Sequence, residues 1–144
     1  MTSVTLRTRL PAAVVAAIHD SSRLNIRAGT APHRFISIWA VVVDGRVFVR
    51  SWSLEPRSWW RTFLEDPVGA IQIADRTVLV RAVFTRSERI KDAVDRAYLK
   101  KYRSPASIKY AGDLAREKSR ATTTELVPRS AARSKPTAEK ARPR

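Results

Sequence analysis

The Asp44-Gly45 dipeptide constrains this chain more than any other pair of residues. It sits between Phe35–Val43 and Arg46–Ser53, two runs rich in β-branched and aromatic residues. A two-residue type I′ turn needs positive φ at both central positions, which Asp-Gly accommodates, so the runs are predicted to form an antiparallel hairpin. The turn also sets the register. Val43 should face Arg46, Val42 Val47, Val41 Phe48, Ala40 Val49, Trp39 Arg50 and Ile38 Ser51. Successive side chains point to opposite faces of a strand. One face therefore carries Ile36, Ile38, Ala40, Val42, Val47 and Val49, the expected core. The other carries Ser37, Trp39, Val41, Phe48, Arg50 and Trp52, which is too apolar to stand in water, so a cover for it is expected.

The flanking segments extend this pattern. Leu10–His19 reads as a helix with Pro11 in its first turn, and Arg23–Arg27 alternates polar and apolar residues as a short strand does. Glu55–Leu64 is predicted as a helix opened by Pro56 and ended by Asp66-Pro67. Gly69–Ala74 and Thr77–Phe84 form a second expected hairpin about Asp75-Arg76. It directs Ile71, Ile73, Val78 and Val80 inward, and Gln72, Leu79 and Arg81 outward. Ser87 suits the N-cap of a helix reaching Tyr102, because Ile90, Ala93, Val94, Ala97, Tyr98 and Lys101 recur at helical spacing. Ser104-Pro105 opens a further helix running to Arg116 or beyond, and Ala121–Val127 reads as a last strand. Six short strands with peripheral helices predict a mainly β (α+β) protein built on a small antiparallel barrel.

Charge and composition bound the chemistry. The chain has 144 residues and a formal charge of +15. Its last sixteen residues, Arg129–Arg144, carry six Lys/Arg against Glu139, and their composition predicts a disordered basic tail after a folded domain over residues 1–128. Such a surplus attracts polyanions, whether nucleic acid, acidic lipid or a phosphorylated ligand. The absence of cysteine excludes disulfides, thiolate metal sites and cysteine nucleophiles. His19 and His33 are the only histidines and belong to no cluster at ligand spacing, so no metal site is expected. No apolar run is long enough to span a membrane, and Pro11 with His19-Asp20 makes the N-terminal apolar run a helix rather than a signal peptide. The expected location is the cytoplasm.

The middle of the chain resembles the flavin-binding split β-barrels of the pyridoxamine-phosphate-oxidase type. The residues that carry the likeness are Ile38-Trp39-Ala40-Val41, Phe48-Val49-Arg50-Ser51, Trp59-Trp60-Arg61, Asp66-Pro67, Ala97-Tyr98-Leu99-Lys100-Lys101-Tyr102 and Thr122–Pro128. Arg57–Pro67 is similar to a segment of the deazaflavin-dependent nitroreductases, and the whole set is similar to a family of uncharacterised bacterial proteins in the same superfamily. The resemblance implies a six-stranded split barrel, a homodimer, and an oxidoreductase using FMN or the deazaflavin F420, with the substrate open. Two departures stand out. Trp52-Ser53-Leu54-Glu55 replaces the family's glycines, and the nitroreductase Tyr and Asn are replaced by Trp60 and by Thr62 or Phe63.

The candidate cofactor-binding residues are Arg34, Trp39, Arg50, Ser51, Trp60, Arg61 and Lys101. Arg50 ranks first: opposite Trp39 it suits a phosphate or a fused ring, or else a cation–π pair packed under a helix or at an interface. Trp59, Trp60 and Arg61 open a helix, where backbone N–H groups favour an anion; packing is the stronger explanation for the two tryptophans, one in the core and the other stacking on a ring or filling an interface. Lys101 complements its helix dipole and Arg34 adjoins a turn; each is a phosphate-contact candidate. No nucleophile–base pair, P-loop or dinucleotide-binding glycine pattern is present. Three functions stay open: a flavin or deazaflavin redox protein, a barrel binding a phosphorylated or aromatic ligand without catalysis or without any cofactor, and a nucleic-acid binder acting through the basic tail.

Overall fold

The computed structural model describes residues 9–129. The proposed disorder of the tail lies outside the described residues, apart from Arg129.

The first hairpin forms as the turn dictates. Asp44 and Gly45 take φ of 54° and 75°, and β3 (Ala40–Val43) pairs with β4 (Arg46–Val49) in the expected register from Val43–Arg46 to Ala40–Val49. Above Ala40 the expectation fails. Trp39 does not pair with Arg50, nor Ile38 with Ser51; β2 (Ile36–Ile38) turns instead to β1 (Leu24–Ala28). The cause is one side chain. The Tyr98 hydroxyl accepts the Arg50 backbone N–H at 3.1 Å and donates to the Trp39 carbonyl at 2.8 Å, joining the two groups that the next ladder hydrogen bonds would have linked. The predicted strand Phe35–Val43 is thus two strands, and the sheet has seven rather than six.

The second hairpin joins β5 (Val68–Ile73) to β6 (Arg76–Phe84) through Ala74-Asp75, with Ala74 at φ 54°. The expected loop was Asp75-Arg76, so the register moves by two residues, with Ile73 facing Arg76 and Ile71 facing Val78. A shift of two keeps every side chain on its face. Ile71, Ile73 and Val80 are buried as expected, Val78 packs against them, and Leu79 is exposed. With β7 (Thr124–Pro128), the strands run β2-β1-β5-β6-β7-β4-β3, all antiparallel. The outermost strands, β2 and β3, are consecutive in the chain and joined at Trp39. The sheet therefore curls into a nearly closed barrel whose seam is that residue.

Two cores share this sheet. Inside it, Ala40, Val47, Val49, Ile26, Ile71, Val80 and Leu126 meet Val14 and Ile18 of α1 (Ala12–Asp20) and Trp59 and Phe63 of α2 (Trp59–Glu65). Helix α2 starts later than predicted. Ser58 caps it by accepting the Arg61 N–H at 3.3 Å, and Pro56 lies in the turn before it rather than in its first turn. Outside the sheet, Val41 and Phe48 are buried under Val94 and Tyr98 of α3 (Glu88–Lys101), Tyr102 just past its end, and Ala111 and Leu114 of α4 (Ile108–Leu114). Helix α3 (Glu88–Lys101) begins at the Ser87 cap as expected. The helix expected from Ser104 to Arg116 is instead α4 (Ile108–Leu114) and α5 (Glu117–Arg120). From Val41 to Arg50 the aromatic face is therefore covered by the chain's own helices, while Trp52 at its end stays exposed. Most of the need for a cover, one of the two arguments for a homodimer, is met within the chain.

Among the described residues, no helix is long and apolar enough to cross a membrane.

Candidate functional site

The break at Trp39 opens the barrel wall, and a cavity of about 320 Å³ occupies the gap. Its walls are Ile36, Ile38 and Trp39 from the seam, Trp52 from the segment after β4, Trp59 from α2, and Tyr110 with Leu114 from α4. The aromatic rings are locked together. Trp39 stacks on Tyr102 with centroids 4.0 Å apart and planes 2° from parallel, Tyr110 meets Trp39 edge-on at 6.4 Å, and Trp52 meets Tyr110 edge-on at 4.8 Å. Trp52 and Tyr110 remain 56% and 42% exposed, so two aromatic surfaces at the mouth lack any contact that would bury them. The polar lining consists of Ser37, Ser51, Ser53, Ser58 and two arginines, Arg50 and Arg57.

A smaller cleft of about 210 Å³ adjoins it, sharing Ile36, Arg57 and Trp59. Arg27, Arg34 and His33 complete its polar side. Arg27 lies over the Phe35 ring at 4.7 Å. Arg27, Arg34 and Arg57 form no ion pair with any described residue. The loop bearing His33 and Arg34 is anchored by Asp66, whose Oδ2 accepts the Thr30 backbone N–H and hydroxyl, both at 2.8 Å. An apolar slot thus shares a wall with a cleft lined by three arginines that have no ion-pair partner among the described residues.

The predicted residues divide between these spaces and the rest of the molecule. Trp39, Arg50 and Ser51 line the main cavity and Arg34 lines the cleft. Trp60, Arg61 and Lys101 line neither. Arg61 donates to the Leu54 carbonyl at 3.0 Å and lies over the Trp60 ring, while Trp60 Nε1 is buried with no partner among the described residues. Lys101 points back into the fold, donating to the Ile18 and Ala40 carbonyls at 2.9 and 2.8 Å. Burial holds its ammonium group down to about 8, against an opposing pull from Asp20.

Arg50 is the most constrained of them. Its side chain is fully buried. Nε donates to Thr123 Oγ1 at 2.9 Å, Nη1 to Asp95 and to the Leu114 carbonyl at 2.9 Å, and Nη2 to the Lys91 carbonyl at 2.9 Å. Its aromatic neighbour is Tyr98, at 5.9 Å, and not Trp39. Burial lowers the Arg50 pKa, and the Asp95 hydrogen bond opposes that shift. Four of five N–H donors are already used, so the guanidinium braces the cavity wall instead of reaching into it. Ser51 is similarly occupied, with its N–H donating to Thr122 Oγ1 at 2.8 Å and its hydroxyl to the Ser53 carbonyl at 2.6 Å.

Of the other lining residues, Trp59 is the member of the Trp59-Trp60 pair that reaches the cavity, and Trp52, Arg57, Arg27 and Tyr110 were not among the sequence candidates. Trp52 had one legible signal, since the alternation placed it on the face away from the core. Tyr110 had none: it reaches the cavity only because α4 folds back over β4, a contact between residues far apart in the chain.

The fold is similar to that in the crystal structure of the conserved hypothetical protein Rv2991 from Mycobacterium tuberculosis. The likeness covers 90% of this chain and 86% of that one, at a TM-score of 0.56 and 11% sequence identity. At that identity the likeness concerns the fold alone. No curated protein matches the chain. Residues 14–126 match the family described as "Uncharacterized protein conserved in bacteria (DUF2255)", and the protein belongs to that family.

Proposed function

We propose that this barrel is a split barrel of the flavin-binding type, and that it holds a planar aromatic cofactor bearing an anionic side chain, FMN or the deazaflavin F420, as an oxidoreductase. The observation that carries the reading is the junction of the two spaces at Arg57. An aromatic slot of a size suited to a small ligand adjoins, across Ile36, Arg57 and Trp59, a cleft lined by three arginines that form no ion pair with a described residue. A fused ring joined to a phosphate needs that pairing of apolar walls and nearby fixed cations.

Trp39, Trp52 and Tyr110 would hold the ring, and Arg57, Arg34 and Arg27 the anion. Trp39 is fixed by its stack on Tyr102 and serves as a rigid wall, whereas Trp52 and Tyr110 at the mouth would exclude water once covered. Ser58 Oγ already accepts the Arg61 N–H, which leaves its hydrogen free to donate into the cavity. A bound flavin or deazaflavin would supply the hydride chemistry. Among the described residues, the main cavity has no Asp, Glu, His or Lys in its walls, so the protein's part is binding, orientation and exclusion of water.

The same absence favours a second reading, a barrel that binds such a ligand without turnover. The Trp52–Glu55 segment in place of glycines supports it too, because its bulk narrows access to the ring. One experiment addresses both. The purified protein is examined for flavin absorbance, then titrated with FMN and F420 by thermal shift and tryptophan quenching, in wild type and in Arg57→Gln and Trp52→Ala. Binding that falls at least tenfold in both variants supports the site, and reduction of the bound ligand by a hydride donor separates redox from passive binding. A colourless protein with no shift on either cofactor sinks the redox proposal.

A further inference from the structure

Five aromatic rings form one continuous run through the cavity wall. Trp52 meets Tyr110 at 4.8 Å between centroids, Tyr110 meets Trp39 at 6.4 Å, Trp39 stacks on Tyr102 at 4.0 Å, and Tyr102 lies 6.0 Å from Tyr98. The run holds all three tyrosines of the chain and two of its four tryptophans. Trp59 and Trp60 stand apart from it, one against Phe63 and the other under Arg61. Tryptophan and tyrosine are the aromatic side chains that give up an electron most readily, and an electron crosses contacts this short far faster than their radicals decay. The run is therefore a route for a positive hole, and its two ends differ.

The inner end resists oxidation. Tyr98 and Tyr102 are buried, where an uncompensated radical cation is costly. A tyrosine that loses an electron must also shed its phenol proton. The hydroxyl of Tyr98 donates to the Trp39 carbonyl at 2.8 Å and that of Tyr102 to the Ser22 carbonyl at 2.9 Å, and a carbonyl is too weak a base to take the proton. Burial also raises both phenol pKa values, that of Tyr102 to about 12. Each ring has a cation over it as well, Arg50 at 5.9 Å for Tyr98 and Lys101 at 5.3 Å for Tyr102, which opposes a second positive charge. The outer end has none of these barriers. Tyr110 and Trp52 are both exposed, so water can accept a proton from either. Among the described residues, no cation lies over the rings of Trp39, Tyr110 or Trp52.

We propose that this run is an outward electron-transfer relay, carrying an oxidising hole from Trp39 in the cavity wall through Tyr110 to the surface at Trp52. Trp39 gives one electron to a one-electron oxidant in the cavity, such as a small radical or a photoexcited ring ligand. Tyr110 then returns an electron to Trp39 and releases its phenol proton to water. Trp52 can in turn reduce Tyr110, which regains its proton as the indole N–H of Trp52 loses one. A soluble thiol supplies one electron and one proton to the exposed radical, becomes a thiyl radical, and restores the starting state. The closest contact, Trp39 on Tyr102, is a dead end, because a hole arriving there cannot be fixed by proton loss. The relay lies in the chain's own side chains and does not require the flavin reading of the cavity.

The test uses the full chain and pulse radiolysis with the azide radical, a one-electron oxidant of tryptophan small enough to enter the cavity. Tryptophan and tyrosine radicals absorb in separate bands, so decay of the first with matching growth of the second reads the transfer directly. Wild type should convert tryptophan radical to tyrosine radical at a rate independent of protein concentration. Tyr110→Phe should abolish that conversion, and Tyr102→Phe should leave it intact; near-ultraviolet circular dichroism checks that both are folded. A second measurement needs no variant at Tyr102. Peptide mapping after continuous radiolysis should place stable oxidation on Trp52 and Tyr110 in wild type, with oxidation of Trp39 rising in Tyr110→Phe. The proposal is overturned by a wild type that shows no conversion, or one whose rate grows with protein concentration. It is equally overturned if conversion survives Tyr110→Phe or is lost in folded Tyr102→Phe, if Trp39 oxidation is the same with and without Tyr110, or if the products collect on Tyr98 or Tyr102.

Discussion

At the scale of single residues, Tyr98 decides the shape of the site. A ladder continued past Ala40–Val49 would have joined Trp39 and Arg50 and sealed the barrel wall where the cavity now opens. The Tyr98 hydroxyl takes both backbone partners instead, and burial, its largest influence, raises its pKa well above the ordinary phenol value, so it stays neutral and can both donate and accept. Tyr98→Phe should leave a buried carbonyl and a buried N–H unpaired, a cost of about 1–3 kcal/mol readable in urea denaturation. If ligand affinity at the cavity falls with it, the hydroxyl also maintains the opening; an unchanged midpoint would show that the two strands simply close over the gap. The alternation along Phe35–Ser53 was enough to single out Arg50. Its partners were not legible, because Lys91, Asp95, Leu114 and Thr123 stand 41 to 73 residues away and come together only when α3, α4 and β7 are in place. A residue's chemistry is visible in one sequence, but its saturation is not. Arg50 has the chemistry of a phosphate ligand, and the fold spends it on structure.

At the scale of elements, local backbone demands were the most readable. Asp44-Gly45 gave its hairpin to the residue, because few dipeptides accept two positive φ values. Ala74-Asp75 turns with positive φ at its first residue alone, an alanine at φ 54°, an uncommon conformation that no sequence rule favours, and the register was accordingly misplaced by two. Ser87 was a legible cap, whereas Ser58 was hidden behind Pro56, a residue equally at home in a first helical turn. Two glycines make opposite predictions about their elements. Gly69 in β5 faces Ala28 of β1, and a Cβ there would lie 2.3 Å from the Arg27 carbonyl oxygen. Gly69→Ala must push β1 from β5 and should cost about 3 kcal/mol, the upper end for overpacking. A Cβ on Gly112 in α4 would meet nothing within 4 Å, so Gly112→Ala should stabilise the protein by about 0.5–1 kcal/mol. Thermal midpoints moving in opposite directions would bear this out. A destabilising Gly112→Ala would mean that α4 needs the freedom of a glycine to seat Tyr110 at the cavity mouth.

At the scale of the molecule, the question is whether the barrel and its helical cover are one cooperative unit. The two cores look separable, one inside the sheet and one outside. They are nonetheless divided only by β3 and β4, on which adjacent residues serve opposite cores: Val47 and Val49 point into the barrel while Phe48, between them, points under α3. The Arg50–Asp95–Arg120 cluster adds a polar tie across the same boundary, and Thr122 and Thr123 fasten α5 to the segment before the last strand, their hydroxyls donating to the Ser119 and Arg120 carbonyls and accepting from Ser51 and Arg50. Neither core can loosen without disturbing the strands that back the other. A lesion in either should therefore lower one shared transition. Phe48→Ala on the helical side and Ile71→Ala on the barrel side should cost about 3–5 and 2–5 kcal/mol respectively. In each variant the far-ultraviolet signal and the tryptophan near-ultraviolet signal should melt together. If Phe48→Ala instead splits the curve, with aromatic dichroism lost before the β signal, α3 and α4 form a separable lid. The cavity wall contributed by Tyr110 and Leu114 would then open without unfolding the barrel. A coincident transition means that the cavity is as rigid as the fold and that ligands enter through the gap at Trp52.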